Sequence, residues 1–297
     1  MINKLYLLLI TLFLSSYFYS IVEEDPLPTL GDYSSASISL SGEYELGRLW
    51  LAMYRGSTKE HSDPLMRTYL EDLIYRLSET SEVRDRRFEF IILEDESINA
   101  FAAPGGIIGI NLGMFLNTKR EGELASVMCH ELAHLSQRHY ARSQNRSSPL
   151  ANALMILGSI AVAAASRNPE AIVIAPAAMQ QMSINYTRSN EKEADRIGFN
   201  NLVKAGFDPN DMTMMFQRMQ DKYQREGSEQ FSYLMTHPLP SERLTDMRIR
   251  ADNVSKPSEG TFRDNLDFYF MQKRSEIWAE KDTCLLYTSD AADEDLR

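Results

Sequence analysis

Apolar residues recur every three to four positions over much of the chain, the mark of helices that bury one face. Leu46, Leu49 and Met53 predict a helix from about Glu43 to Tyr54, ended by Gly56-Ser57. Asp63-Pro64 opens a second helix, with Asp63 placed to cap it and Pro64 in its first turn. Leu65, Tyr69, Leu73 and Leu77 form its apolar stripe. The β-rich run Phe88 to Leu93 predicts a strand. Asn99-Ala100-Phe101-Ala102, then Pro104-Gly105-Gly106 and Ile107 to Ile110, predict two more short strands about a turn. A long helix is expected from Glu121 to Arg142, acidic at its start and basic at its end as the helix dipole favours. Further helices are expected near Ser189 to Ala205, Asp208 to Tyr223, Pro240 to Asn253 and Phe262 to Lys281. The whole is an α+β pattern, mainly helical with a small sheet.

Some segments fall outside that pattern. Residues 1–20 carry Lys4, a short apolar run and then Ser15, Ser16 and Ser20, which reads as a cleaved secretory signal peptide and implies export to a periplasm. Residues 21–42 read as a polar linker, and Lys256 to Gly260 as another. Residues 149–182 are apolar and small, split by Arg167-Asn168-Pro169-Glu170. Each half is shorter than the roughly 20 residues a membrane span needs. A packed helix pair is therefore expected there, with membrane-proximal contact as its further possibility. Residues 284–297 (CLLYTSDAADEDLR) read as a translated transposase sequencing adapter and are set aside from the fold.

Composition narrows the function. The 297 residues hold 31 Lys+Arg against 42 Asp+Glu, a net charge of −11, which argues against a nucleic-acid partner. Apolar residues at 43% exclude disorder as a description of the whole. Two cysteines, Cys129 and Cys284, make neither a disulfide framework nor a cysteine-rich zinc site. Cys129 reads as small core filler. Three of the five histidines, His130, His134 and His139, fall within ten residues.

His130-Glu131-Leu132-Ala133-His134 is an HExxH motif on the long helix. Residues four apart differ by about 40° around a helix, so both imidazoles share one face and can hold one Zn²⁺ ion, with Glu131 as the base. The flanking Leu124, Val127, Met128, Leu132 and Leu135 mark an embedded helix, where two His and a Glu without a metal would be costly. A catalytic zinc needs a third protein ligand. His139 lies about 180° from His130 on a continuous helix, and Gln137-Arg138-His139-Tyr140 offers no break, so His139 reads as structural or surface. Glu191 in NEKEAD is the better ligand. Asp195, four residues on, shares its face and would orient a zinc-bound His through the other ring nitrogen. Glu193 points about 200° away from Glu191 and is the weaker choice.

With these residues in hand, the chain resembles the gluzincin metallopeptidases of the HtpX-like and CAAX-protease-like kind. The matching segments are Asn99 to Ala102 with Pro104-Gly105-Gly106, the helix ELASVMCHELAHLSQRH, the segment NEKEADRIG, and Thr236-His237-Pro238 followed by Arg243. The resemblance spans about residues 43 to 252. It implies a zincin-type fold, a metallopeptidase domain over 43–255, internal peptide-bond cleavage and Glu191 as third ligand. It implies that substrate lies along Asn99, Ala100, Phe101 and Ala102 as an added strand. It also implies active-site roles for His237 and Arg243. Either could donate to the oxyanion; His237 could instead take the fourth zinc position and keep the enzyme latent, or be a turn residue; Arg243 could simply pair with an acid. Misfolded or stalled envelope proteins are the implied substrates, and the outer-membrane assembly machinery a partner. Relatives of this kind carry tetratricopeptide-like repeats after the protease, and residues 261–283 could begin them. The competing readings are a gated-site chaperone or binding module, and an integral membrane protease with 149–182 as a hairpin.

Overall fold

The computed structural model describes residues 38–56, 58–144, 186–226, 233, 237–238, 241–254 and 265–280. The chain divides into Met1–Ser35, which lies outside the described residues, and Ala36–Arg297, to which everything below belongs. The expected signal peptide, the segment 149–182, the Lys256 to Gly260 linker and the tail 284–297 also lie outside them.

The elements follow from the pattern with some changes. Helix α1 is Leu40–Arg55, capped by Ser39, so it begins inside the stretch read as linker. Its buried face is Glu43, Gly47, Trp50 and Leu51, not the expected stripe, for Leu49 is 45% exposed. Gly47 lies under the Pro104 carbonyl, where a Cβ would stand 2.1 Å from the oxygen, and this contact turns the helix. Helix α2 is Pro64–Thr80; the Asp63 carboxylate accepts from the N–H groups of Leu65 and Met66, as a capping residue should. Tyr69, Leu73 and Leu77 are buried, whereas Leu65, in the first turn, is 58% exposed.

Strands β1 (Glu89–Leu93), β2 (Ala100–Ala103) and β3 (Ile107–Asn111) form a sheet of order β1-β3-β2. β1 runs parallel to β3, and β2 antiparallel to it. Gly105 and Gly106 both adopt φ near +77° (76° and 78°), conformations open to glycine, and so make the tight turn from β2 into β3. β2 is left at the edge. The short helix α3 (Leu112–Asn117) leads into α4 (Glu121–Ser136), the centre of the molecule. Every residue of α4 from Glu121 to His134 is buried. It is packed by α2, β2, α6 (Arg188–Lys204) and α7 (Asn210–Glu226), and α8 (Ser241–Asn253) packs on α6 and α7.

The expected single helix to Arg142 is a correction. It ends at Ser136, Arg138 takes φ +49°, and a second helix, α5 (His139–Gln144), starts in a new direction. A left-handed conformation is unfavourable for a non-glycine residue. Here the Arg138 guanidinium is held by Glu43 at 2.9 Å and by the Ile38 carbonyl, so α1 fastens the break.

The last helix, α9 (Leu266–Ala279), buries Phe268 and Met271 in the core that α2 and α4 build. Asn265 caps it and also donates to Glu121 at 2.7 Å. Gln272 donates to the carbonyls of Phe115 and Thr118. This helix packs against α2 and α3. Among the described residues, no helix is long and apolar enough to cross a membrane.

Candidate metal centre

The HExxH helix delivers two imidazoles to one point. His130 Nε2 and His134 Nε2 are 3.0 Å apart. Helix α6 crosses α4 and brings Glu191, whose oxygens stand 3.4 Å from each of these nitrogens. His237 Nδ1 is 3.4 Å from His130 Nε2 and 3.0 Å from Glu191 Oε1. One ligand atom from each of His130, His134, Glu191 and His237 falls within 4.8 Å of all the others, and all four residues are buried. Imidazole nitrogens and a carboxylate facing one another this closely fit a divalent cation, and an N/N/O set suits zinc. Helix α6 reaches this position because Gly198 lets it touch the backbone of α4; a Cβ there would stand 2.9 Å from the His130 nitrogen.

Each ligand candidate is held from behind. Asp195 Oδ1 stands 3.0 Å from His130 Nδ1. Arg243 grips Asp195 with two hydrogen bonds, Nε to Oδ2 at 2.6 Å and Nη2 to Oδ1 at 2.7 Å. Its Nη1 donates to the Pro238 carbonyl at 2.6 Å and lies 2.9 Å from Glu191 Oε2. Arg243 thus joins α8, α6 and the His237-Pro238 segment, with its charge spent on two buried carboxylates. Burial would push the His130 imidazole down, but the Asp195 and Glu191 carboxylates outweigh it and raise it to about 9. Burial raises Glu191 as well, yet the His237 charge and the imidazole hydrogen bonds hold it well below the ordinary range.

Glu131 is fully buried, and neither of its oxygens has a side-chain hydrogen bond among the described residues. His237 Nε2 stands 3.6 Å from its Oε1. Burial raises its carboxyl, while His237, His130 and the Ala102 N–H pull the other way. A carboxylate raised towards neutrality is suited to taking and returning a proton. The Ala102 link also shows that edge strand β2 passes beside Glu131. Ala100, Phe101 and Ala102 lie on that strand and Asn99 just before it, half-buried, its carbonyl accepting from Asn111 at 2.9 Å.

His139 is not a surface residue. The break at Arg138 turns it inward, fully buried, with Nδ1 2.8 Å from His134 Nδ1. Its Nε2 is 3.1 Å from Glu193 Oε2, which also accepts from Arg142 at 2.8 Å. The premise of a continuous helix hid this, because nothing in Gln137-Arg138 marks a left-handed turn. Tyr186 was also missed; its ring stacks on His134, centroids 4.0 Å apart and planes 18° from parallel. It follows an apolar stretch without a motif, so the sequence carried no signal for it. Cys129 is buried core filler, its thiol pushed up by burial.

The model of peptidase family M48 matches residues 64–251, from the first residue of α2 nearly to the end of α8. The chain is 42% identical to the putative beta-barrel assembly-enhancing protease of Vibrio cholerae serotype O1, over 78% of this chain and 49% of that protein. It is 37% identical to the beta-barrel assembly-enhancing protease of Escherichia coli K12, over 84% of this chain and 52% of that protein. The mitochondrial metalloendopeptidase OMA1 of Schizosaccharomyces pombe is 25% identical over 77% of this chain and 66% of that protein. The chain spans about half the length of the two bacterial relatives. With an HExxH helix, a buried His-His-Glu-His cluster and a family match over 64–251, the chain belongs to peptidase family M48.

Proposed function

We propose that this chain is a zinc-dependent endopeptidase of the periplasm that hydrolyses peptide bonds in misfolded or stalled outer-membrane proteins. The observation that carries the reading is the convergence of His130, His134 and Glu191 beside a buried Glu131 that no side chain hydrogen-bonds among the described residues. His130, His134 and Glu191 would hold one zinc ion. When bound, the ion supplies Lewis acidity, making water a nucleophile near neutral pH and polarising the scissile carbonyl. Glu131 accepts the proton of the attacking water and returns it to the leaving amine as the C–N bond breaks. Asp195 fixes His130 by accepting from its Nδ1–H, and Arg243 keeps Asp195 ionised and aligned. The substrate backbone pairs with the edge of β2, from Asn99 to Ala102, which leads its scissile bond past Glu131. The relatives named as beta-barrel assembly-enhancing proteases support the substrate class and a partner in the outer-membrane assembly machinery.

The test is proteolysis of an unfolded outer-membrane protein by the purified chain beside Glu131→Gln, with zinc content measured on both. Cleavage by the parent alone, with zinc in both, is expected. Equal cleavage by both sinks the role of Glu131, and absence of zinc from both sinks the ligand set.

A second reading concerns regulation. His237 Nδ1 stands in the ligand cluster at 3.0 Å from Glu191, where a fourth ligand would exclude the attacking water and hold the enzyme latent. In the same assay, His237→Ala then cleaves faster than the parent. Slower cleavage would instead make His237 a donor to the oxyanion.

A further inference from the structure

The two histidines of the HExxH motif differ in what stands behind them. Each turns Nε2 to the ligand cluster, which leaves Nδ1 to face the protein. A neutral imidazole that gives the Nε2 lone pair to a cation carries its proton on Nδ1, and that N–H needs an acceptor. His130 finds a carboxylate, Asp195. His134 finds another imidazole, His139, at 2.8 Å.

Two imidazoles can share that hydrogen bond only if His139 Nδ1 is bare. The His139 proton must then sit on Nε2, and Nε2 must have an acceptor. Glu193 Oε2 stands there at 3.1 Å, itself held by Arg142 at 2.8 Å. The groups order themselves as His134 Nδ1–H to His139 Nδ1, then His139 Nε2–H to Glu193, with Arg142 beyond. Three helices supply this chain: α4 gives His134, α5 gives His139 and Arg142, and α6 gives Glu193. It exists only because the helix breaks at Arg138, where the left-handed residue is fastened by Glu43.

We propose that His139 is the positioning residue of the second zinc ligand, and that Glu193, through His139, sets the tautomer in which His134 binds metal. The proposal rests on the zinc site described above. His139 touches neither metal nor substrate; it acts through His134. It also assigns a task to Glu193, the acidic residue of NEKEAD that faces away from the metal.

The experiment measures zinc affinity of the purified chain by chelator competition, and the visible spectrum of the Co²⁺-loaded protein, for the parent, His139→Leu, His139→Asn and Glu193→Ala. Thermal melting of the metal-free proteins reports on folding. Loss of an outer hydrogen-bond partner weakens metal binding about 10- to 100-fold. That loss is expected for His139→Leu, which fills the space but accepts nothing, together with a shifted Co²⁺ band. His139→Asn places an amide oxygen near the lost Nδ1 and is expected to recover most of the affinity and the parent spectrum. Glu193→Ala, which touches no ligand, is expected to weaken zinc because His139 is freed to put its proton on Nδ1, against the His134 N–H. Should His139→Leu fail to fold, Glu193→Ala and His139→Asn still decide the matter. Parent-like zinc affinity and spectrum in Glu193→Ala, and in His139→Leu where it folds, would overturn the positioning role while leaving the zinc site standing. A folded parent that binds no zinc would overturn the site, and the proposal with it.

Discussion

Replacing Gly198 by Ala tests how closely the site depends on the meeting of two helices. Gly198 on α6 faces the backbone of α4 at Cys129 and His130. A Cβ built there lies 2.9 Å from the His130 nitrogen and 3.0 Å from the Cys129 carbonyl carbon and oxygen. Ordinary contact begins at 3.4 Å, so the helices must part by about 0.5 Å. No side chain can swing aside, since the opposing atoms are main chain in a helix buried on every side. Overpacking of this kind costs about 1–3 kcal/mol, a fall of roughly 2–12 °C in Tm for a domain of this size. Asp195 lies one turn before Gly198 and Glu191 two turns before it, so both move with α6. The His130 to Asp195 contact, now 3.0 Å, would open towards about 3.5 Å, the limit of a useful hydrogen bond. Misplacement on this scale is expected to lower the cleavage rate of the proposed endopeptidase by about tenfold or more. The assays are thermal melting, zinc affinity by chelator competition, and cleavage of an unfolded substrate. A variant that melts with the parent refutes the close contact. A variant that melts early yet keeps parent zinc affinity and rate refutes the coupling between helix packing and site.

Two further outcomes are expected. Asp211 at the start of α7 is buried, and burial lifts its carboxyl to about 7 even though Arg120 lies 3.1 Å away and opposes the shift, while Asp208 and Glu123 add to it. Below about pH 4 this group is protonated folded or unfolded; from about pH 4 to 7 only the unfolded chain gives up the proton, so stability falls as pH rises through that window. The contribution is of order 4 kcal/mol at most, and urea melts from pH 4.5 to 8 should show a flatter profile for Asp211→Asn; an unchanged profile would sink the assignment. Phe268→Ala is expected to destabilise the whole domain by about 3–5 kcal/mol, because Phe268 on α9 is buried in the main core beside Tyr69. If only a minor transition moved, and the main melt stayed, α9 would be a unit apart from the metallopeptidase body.

How far the site was legible depended on whether its parts are linked by local geometry. His130 and His134 are four residues apart on one helix, and Glu191 and Asp195 repeat that spacing, so 3.6 residues per turn already placed each pair on one face. The Asp63 cap and the Gly105-Gly106 turn were equally local. The surface alternative for His139 failed for the same reason in reverse. Its angle about the helix was worked out correctly for a helix that in fact stops at Ser136. Arg138 shows no local preference for its left-handed turn; the cause is Glu43, 95 residues earlier, and a backbone carbonyl of the same region.

By itself, then, the sequence determined the class of elements, the paired-histidine face of α4 and the acidic face of α6. Tertiary structure alone decided that α4 and α6 touch through Gly198, so that Glu191 meets the His130–His134 pair, and that Arg243 spends its charge on Asp195 and Glu191. It alone turned His139 onto His134 and α1 onto its Trp50 face. The physical reason is one of range. Helix periodicity orients residues within a few turns, but which carboxylate meets which imidazole depends on how separate helices pack, and that is settled by contacts between residues 48 to 107 positions apart.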